Sequence, residues 1–312
     1  MAWTSNTTTP PLRALRLLAA DIKLAHSVFA LPFAILAAFM AAKNGTVPFF
    51  EWSPFAGQLA LIILAMIFAR TVAMLANRLL DREIDRRNPR TAGRPLPSGR
   101  LAPGTALRVL LICAALFMLI CLAFGILYDN WWPAILGPPV LLWLSAYALF
   151  KRFTWLCHFA LGSALAISPL AAAVAIDPAS LGRQPALWLL SAMVLLWVAG
   201  FDVIYALQDL EVDRAEGLHS IPAKLGHTGS LWFSRLLHAL AAAALVAAAT
   251  MDDRFGPLFA AGVGIVLLLL IAEHATAARW GTTKLALTFF TLNGVISCIL
   301  GALGVLDVLG GT

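Results

Sequence analysis

Asn77, Asp81 and Asp85 recur every fourth residue at the end of an apolar stretch, and seven arginines fall between Arg78 and Arg100. If the preceding helix continues, the three oxygen-bearing side chains lie within about 80° of one face, one turn apart. Such a ladder beside a cationic loop can hold a hard divalent cation and an anion together. The helix should stop near Asn88-Pro89, because a residue before proline is pushed out of the helical region.

A second stretch echoes the first. Asp202, Tyr205, Asp209 and Asp213 also share one helical face, about 80° wide. Each ladder runs into a loop with proline, a cation and a closing glycine: Arg94-Pro95-Leu96-Pro97-Ser98-Gly99 in one, Ile221-Pro222-Ala223-Lys224-Leu225-Gly226 in the other. One ladder alone is commonly an ion-paired helix end on the surface. Its recurrence predicts a pseudo-repeat four helices apart, with the two sites facing each other across a central cavity. Two ladders with Asn77 supply enough hard oxygens for Mg²⁺, which keeps several waters and shares its remaining positions with substrate phosphates.

The elements that must position these residues are membrane helices. Of 312 residues, 61% are hydrophobic and 12% charged, with a mean hydropathy of +0.86. Apolar segments fall at about 24–42, 55–76, 105–124, 132–150, 157–176, 187–206, 231–250, 257–273 and 285–306. The reading is an all-α polytopic protein of about nine transmembrane helices around a central cavity, one domain over 1–312. Residues 1–20 are expected to be a flexible N-terminal segment without a removable signal peptide.

Lys and Arg in alternate connections set the orientation. One side holds Arg13, Arg16, Lys23, the seven arginines, Arg108, Lys151, Arg152, Arg214, Lys224, Arg235, Arg279 and Lys284, eighteen of the 22 basic residues. The other side holds Lys43, Arg183 and Arg254. This predicts a cytoplasmic N-terminus, an external C-terminus and both long acidic connections, 77–104 and 207–230, facing the cytoplasm. The net charge of +6 is explained by the same bias, which argues against nucleic-acid binding. Cys113, Cys121, Cys157 and Cys298 lack metal spacing and read as small core hydrophobes. Trp52, Trp131, Trp132 and Trp155 read as interfacial anchors, Ser168-Pro169 as a kink, and Glu273-His274 as a solvated helix end.

The motifs Asn77-x3-Asp81-x3-Asp85 with Arg90-Thr91-x2-Arg94-Pro95, and Asp202-x2-Tyr205-x3-Asp209-x3-Asp213, resemble those of the UbiA superfamily of intramembrane prenyltransferases. These enzymes join a polyprenyl chain to an aromatic or other acceptor. The resemblance covers nearly the whole chain and departs at Arg78, where many members carry a further Asp. It implies Mg²⁺ ions bridging the diphosphate of a polyprenyl diphosphate, one on Asn77, Asp81 and Asp85 and the other on Asp209 and Asp213. Arg94 and Lys224, with Arg90 and Lys151, would neutralise the leaving diphosphate. Tyr205 would stabilise the allylic cation through its π face, and Asp202 would orient the acceptor or accept a proton.

Ile22 to Ala34 is similar to a bacterial branch labelled 4-hydroxybenzoate polyprenyltransferase, some members of which act on a dihydroxynaphthoate. This implies ubiquinone or menaquinone biosynthesis in a bacterial inner membrane, with the active site facing the cytoplasm. Lys23, His26 or Arg70 would meet the acceptor carboxylate. His26 has the plainer reading of a membrane-edge histidine bonded to backbone, and Arg70 that of a partner for a neighbouring helix acid or carbonyl. No obligate protein partner is implied beyond the bilayer and the two substrates.

Other classes are weighed on the same residues. Buried charge and weak internal symmetry also mark a transporter of small anions, but these acids gather at one membrane face rather than at the midplane. A CDP-alcohol phosphotransferase should show an Asp-Gly-x2-Ala-Arg run, which is missing, and soluble prenyl synthases lack the nine-span hydropathy.

Overall fold

The computed structural model describes residues 29–42, 52–281 and 290–310, and among these the chain forms helices and no strands. Residues 1–20, Lys23 and His26 lie outside the described residues. In chain order the helices are α1 (Leu31–Ala42), α2 (Trp52–Leu80), α3 (Arg82–Arg87), α4 (Pro103–Tyr128), α5 (Trp132–Ala146), α6 (Cys157–Ile176), α7 (Ser180–Arg183), α8 (Pro185–Ala206), α9 (Leu210–Ala215), α10 (Ile221–Met251), α11 (Pro257–Trp280) and α12 (Asn293–Gly310). Short 3₁₀ turns, Tyr147–Arg152 and Leu207–Asp209, follow α5 and α8.

Among the described residues eight helices are long and apolar enough to cross a membrane: α2, α4, α5 with its 3₁₀ turn, α6, α8 with α9, α10, α11 and Phe290–Gly310. The twelve-residue α1 lies in the first expected segment. The chain is an integral membrane protein. Trp52, Trp131 and Trp132 are about half exposed at the ends of their helices, as interfacial anchors should be. Pro169 sits inside α6, which runs through it from Cys157 to Ile176.

α8 is the central helix. It packs on α6 and α10, and its apolar stretch is 67% buried, against 17–50% for the other spans. Trp197 is fully buried at its middle, 5.2 Å from Phe201 and 5.7 Å from Phe33 between ring centres. Lipid offers no hydrophobic drive between helices, so their association depends on close fit, which small residues permit. At Gly162 of α6 a Cβ would lie 2.4 Å from the carbonyl oxygen of Leu195, so only glycine lets these two backbones touch. Gly162→Val should therefore destabilise the protein by about 1–3 kcal/mol through overpacking. A lowered melting temperature in detergent would show this, and an unchanged one would mean that α6 and α8 can separate at little cost.

Candidate active site

α2 ends at Leu80, Asp81 leaves helical geometry (φ −94°, ψ 9°), and the six-residue α3 follows. Hydrogen bonding nevertheless crosses the break. Asp81 N donates to Asn77 O at 2.9 Å and Asp85 N to Asp81 O at 2.7 Å, which keeps the ladder one turn apart. The helix ends at Asn88, as expected from Pro89. The second motif breaks at the corresponding place, with Asp209 at φ −102°, ψ 4° before the six-residue α9. The chain then bends at a glycine with positive φ in each half, Gly99 at φ 75° in the first loop and Gly226 at φ 67° at a kink inside α10, a conformation glycine adopts without steric penalty. The two motifs thus share a break, a short acidic helix and a glycine turn.

The halves meet directly. Arg90 grips Asp209 with two hydrogen bonds, Nε to Oδ1 at 2.9 Å and Nη2 to Oδ2 at 2.5 Å, and Asn88 donates to the same Oδ1 at 2.8 Å. Arg87 pairs with Glu216 at 2.9 Å between the two short helices. Every ladder acid has a cation from another element: Arg94 with Asp85 at 2.8 Å, Lys151 with Asp213 at 2.7 Å and Arg152 with Asp81 at 3.3 Å. Burial pushes the Asp81 carboxyl above its ordinary value, against the opposing Arg152 hydrogen bond. Burial also works against the Arg90 charge, but the Asp209 carboxylate outweighs it and raises the Arg90 pKa.

Tyr205 lies beneath this junction. The Arg90 guanidinium sits 5.5 Å from its ring centre, and Nη1 is 3.3 Å from its hydroxyl. Asp202, deeper on α8, is bonded through Oδ2 to Nδ1 of His158 at 2.7 Å. Below the ladder an apolar cavity of ≈530 Å³ opens between α2, α4, α5 and α6, with Ile67 and Leu136 more than a third exposed on its walls. Arg70 and Tyr147 are its main polar groups. Tyr147 lies within electrostatic reach of Arg70, Arg78, Asp81 and Asp202, and it begins the 3₁₀ turn that carries Lys151 and Arg152 to the acids.

The structure therefore brings together Asn77, Asp81, Asp85, Arg90, Arg94, Lys151, Tyr205, Asp209 and Asp213, with Asp202 one level deeper. It places Lys224 elsewhere, exposed over the Trp155 ring at 4.3 Å. Arg70 has no acidic partner among the described residues, and its Nε is buried without a hydrogen bond. Glu273 corrects the sequence reading. It is 1% exposed inside α11 and accepts a hydrogen bond from Asn293 at 3.1 Å, because residues after the expected segment end continue the helix to Trp280. Asn88, Arg152, Tyr147 and His158 escaped sequence reasoning. Asn88 and Arg152 had a local signal beside the ladder and Lys151; His158 had none, since its partner is remote in the chain.

The donor set fits a metal bound with a phosphate. Among the described residues no three acidic, His or Cys side chains converge into a closed metal cage. Mg²⁺ needs only one or two carboxylates, completing its shell with water and phosphate oxygens. Asp213 is 1% exposed, and although Lys151 Nζ is close, neither carboxylate oxygen receives a well-directed hydrogen bond. Lone pairs remain on the side chain that would face such an ion.

Residues 30–305 match the UbiA prenyltransferase family. The chain belongs to that family. A 4-hydroxybenzoate octaprenyltransferase of Saccharophagus degradans is 32% identical over 211 residues, 67% of this chain. The match spans 66% of that relative's length, just under two thirds. The apo structure of a UbiA homolog from Aeropyrum pernix K1 superposes with a TM-score of 0.77 at 32% identity, covering 90% of this chain and 98% of the other. A UbiA homolog from Archaeoglobus fulgidus bound to GPP and Mg²⁺ shares the fold, with a TM-score of 0.66 at 19% identity over 94% of this chain and 99% of that one.

The Arg90–Asp209 junction makes a prediction for the UbiA site. Arg90→Gln leaves a largely buried carboxylate without its cation and should lower stability by about 1–3 kcal/mol in the absence of divalent metal. Added Mg²⁺ should raise the melting temperature of this variant more than that of the wild type. Equal shifts would show that the cation and the metal do not share Asp209.

Proposed function

We propose that this UbiA-family protein is a Mg²⁺-dependent aromatic prenyltransferase. It moves a polyprenyl group from a polyprenyl diphosphate to a ring carbon of a hydroxy-aromatic carboxylate, 4-hydroxybenzoate or a dihydroxynaphthoate, and releases diphosphate. The observation that carries this reading is the juxtaposition of two facing acidic ladders, each already paired with a cation, at the head of an apolar cavity. The name of the Saccharophagus degradans relative supports the octaprenyl donor and the benzoate acceptor, and the family match over most of the chain supports one catalytic domain.

In this reading Asn77, Asp81 and Asp85 hold one metal ion, and Asp209 and Asp213 the other. Bound there, Mg²⁺ would stabilise the charge that develops on the leaving diphosphate. Arg90, Arg94 and Lys151 turn from their acids toward the diphosphate oxygens. Lys224, over Trp155, has to swing inward to join them. The apolar cavity takes the isoprenoid tail and excludes water from the allylic cation. The Tyr205 ring, which already has a guanidinium over it, faces that cation. Arg70 at the cavity wall, without an acidic partner among the described residues, offers its guanidinium to the acceptor carboxylate, with Lys23 and His26 as further candidates, and Asp202 takes the ring proton as aromaticity returns.

The excess of Lys and Arg on one side supports a cytoplasmic active site, an N-terminus on the same side and an external C-terminus in a bacterial inner membrane. Purified protein with Mg²⁺, a polyprenyl diphosphate and each acceptor should release diphosphate and form prenylated product, and a chelator should stop both. Asp81→Ala combined with Asp209→Ala should cost at least about 100-fold in turnover, the scale of losing preorganised charge stabilisation. Product formation that survives both substitutions overturns the metal-holding role of these acids, whereas a wild type that forms no product with either acceptor sinks the enzymatic reading and leaves transport of an anion as the reading to pursue. In the active enzyme, Arg70→Ala should raise KM for the acceptor about tenfold or more while leaving KM for the donor in place, as expected for losing a charged hydrogen bond to a carboxylate.

A further inference from the structure

His158 of α6 uses both ring nitrogens. Nδ1 lies 2.7 Å from Oδ2 of Asp202, and Nε2 lies 3.2 Å from the backbone nitrogen of Ile221, the first residue of α10. A backbone N–H only donates, so Nε2 must accept. The ring is then neutral, with its proton on Nδ1 donated to the carboxylate. The imidazole is 2% exposed, with no room for water to take over either bond. Asp202 remains partly open, its side chain 21% exposed, and only its Oδ2 has a partner among the described residues. Asp202 also lies within electrostatic reach of Tyr147 on the cavity wall.

We propose that His158 is the positioning residue of the catalytic base. It fixes the Asp202 rotamer through Oδ2, and the Ile221 amide fixes the His158 tautomer, so that Oδ1 is aimed at the acceptor ring. This rests on the prenyl-transfer reading. The step it serves balances within that reaction: the bond from the prenyl C1 to the diphosphate oxygen breaks, the bond from C1 to the ring carbon forms, and that carbon's proton passes to Oδ1 while its C–H electrons restore the aromatic ring. Diphosphate carries away the negative charge. A neutral donor suits the task, because it holds the carboxylate in place without the full charge of an Arg or Lys, which would make it a poor proton acceptor.

The anchor is specific to this pair. The ladder acids are held by Arg and Lys side chains on neighbouring loops, whereas Asp202 is held from α6 by a ring that also ties down the start of α10. His158 therefore links the base to the helix that follows the second acidic motif. It is not among the residues that line the cavity, and it is bonded to none of Asp81, Asp85, Asp209 and Asp213, which separates its effect from substrate binding.

The test is a double-mutant cycle in purified full-length protein with Mg²⁺, a polyprenyl diphosphate and each acceptor. His158→Leu should lower kcat by about tenfold or more, a fraction of what acid–base groups contribute, with KM for the polyprenyl diphosphate within about twofold. His158→Gln, which offers an amide donor and a carbonyl acceptor, should recover much of that loss. In an Asp202→Asn background, His158→Leu should have almost no further effect. The ¹⁵N shifts of the wild-type His158 ring should report the neutral Nδ1–H tautomer. A loss of equal size in both backgrounds, failure of Gln to rescue a Leu variant that melts normally, or a protonated or Nε2–H ring would overturn the positioning role. A wild type with the Nδ1–H tautomer that prenylates neither acceptor would instead overturn the reaction reading, and with it the base.

Discussion

The grip of Arg90 on Asp209 is the contact on which the site depends. Four carboxylates sit where a membrane protein can least leave them bare, and desolvation would make each of them costly alone. The solution is reciprocal: Arg90 from the first loop holds an acid of the second motif, while Lys151 and Arg152 from the turn after α5 hold one acid from each motif. The halves are thus locked together before any substrate arrives. The same pairing makes the site responsive. In the proposed function these acids would hold Mg²⁺, and Arg90, Arg94 and Lys151 would then be free to pair with diphosphate oxygens.

The breaks at Asp81 and Asp209 serve this exchange. Beyond each break comes a six-residue helix, and Arg87 at the end of α3 pairs with Glu216 just after α9. Gly99 then turns the first loop toward α4, and Gly226 kinks α10 one turn after its start. Below, the walls change character within a few residues of α2, from Asn77 to the apolar run that ends at Met74. A phosphate head and an isoprenoid tail would each find their own solvent on either side of that step.

Much of this could be read from the sequence, for a physical reason. The fourfold spacing of the acids, the matching Pro–cation–Gly loops and the apolar runs are all local patterns, and local patterns survive without coordinates. What depended on packing did not survive. The break at Asp81 leaves no mark, since Leu80-Asp81-Arg82 is ordinary helix sequence. Lys224 matches its repeat counterpart in type but lies on Trp155, because the aromatic face is a nearer partner than the acids. Glu273 looked like a helix end because the apolar run stops there, yet α11 continues and the carboxyl turns inward to Asn293. His158 was silent, since a histidine in an apolar run gains meaning only from the carboxylate that folding brings to it.

The partners chosen for the acids divide the chemistry. Asp81, Asp85, Asp209 and Asp213 each face an Arg or Lys side chain, a partner of fixed charge. Asp202 faces the His158 imidazole, neutral in the proposed role, about two turns deeper. A group that must pick up a proton during turnover gains from being oriented but loses from being too strongly stabilised as an anion, so a neutral hydrogen-bond donor is the better holder. The depth agrees with the role. In the proposed reaction the ladder acids would serve a diphosphate at the polar mouth, whereas the proton would leave an acceptor ring that meets the prenyl carbon inside the cavity. Two kinds of carboxylate on one helix face, distinguished by what holds them and by how deep they lie, are what a reaction that separates charge at one end and removes a proton at the other requires.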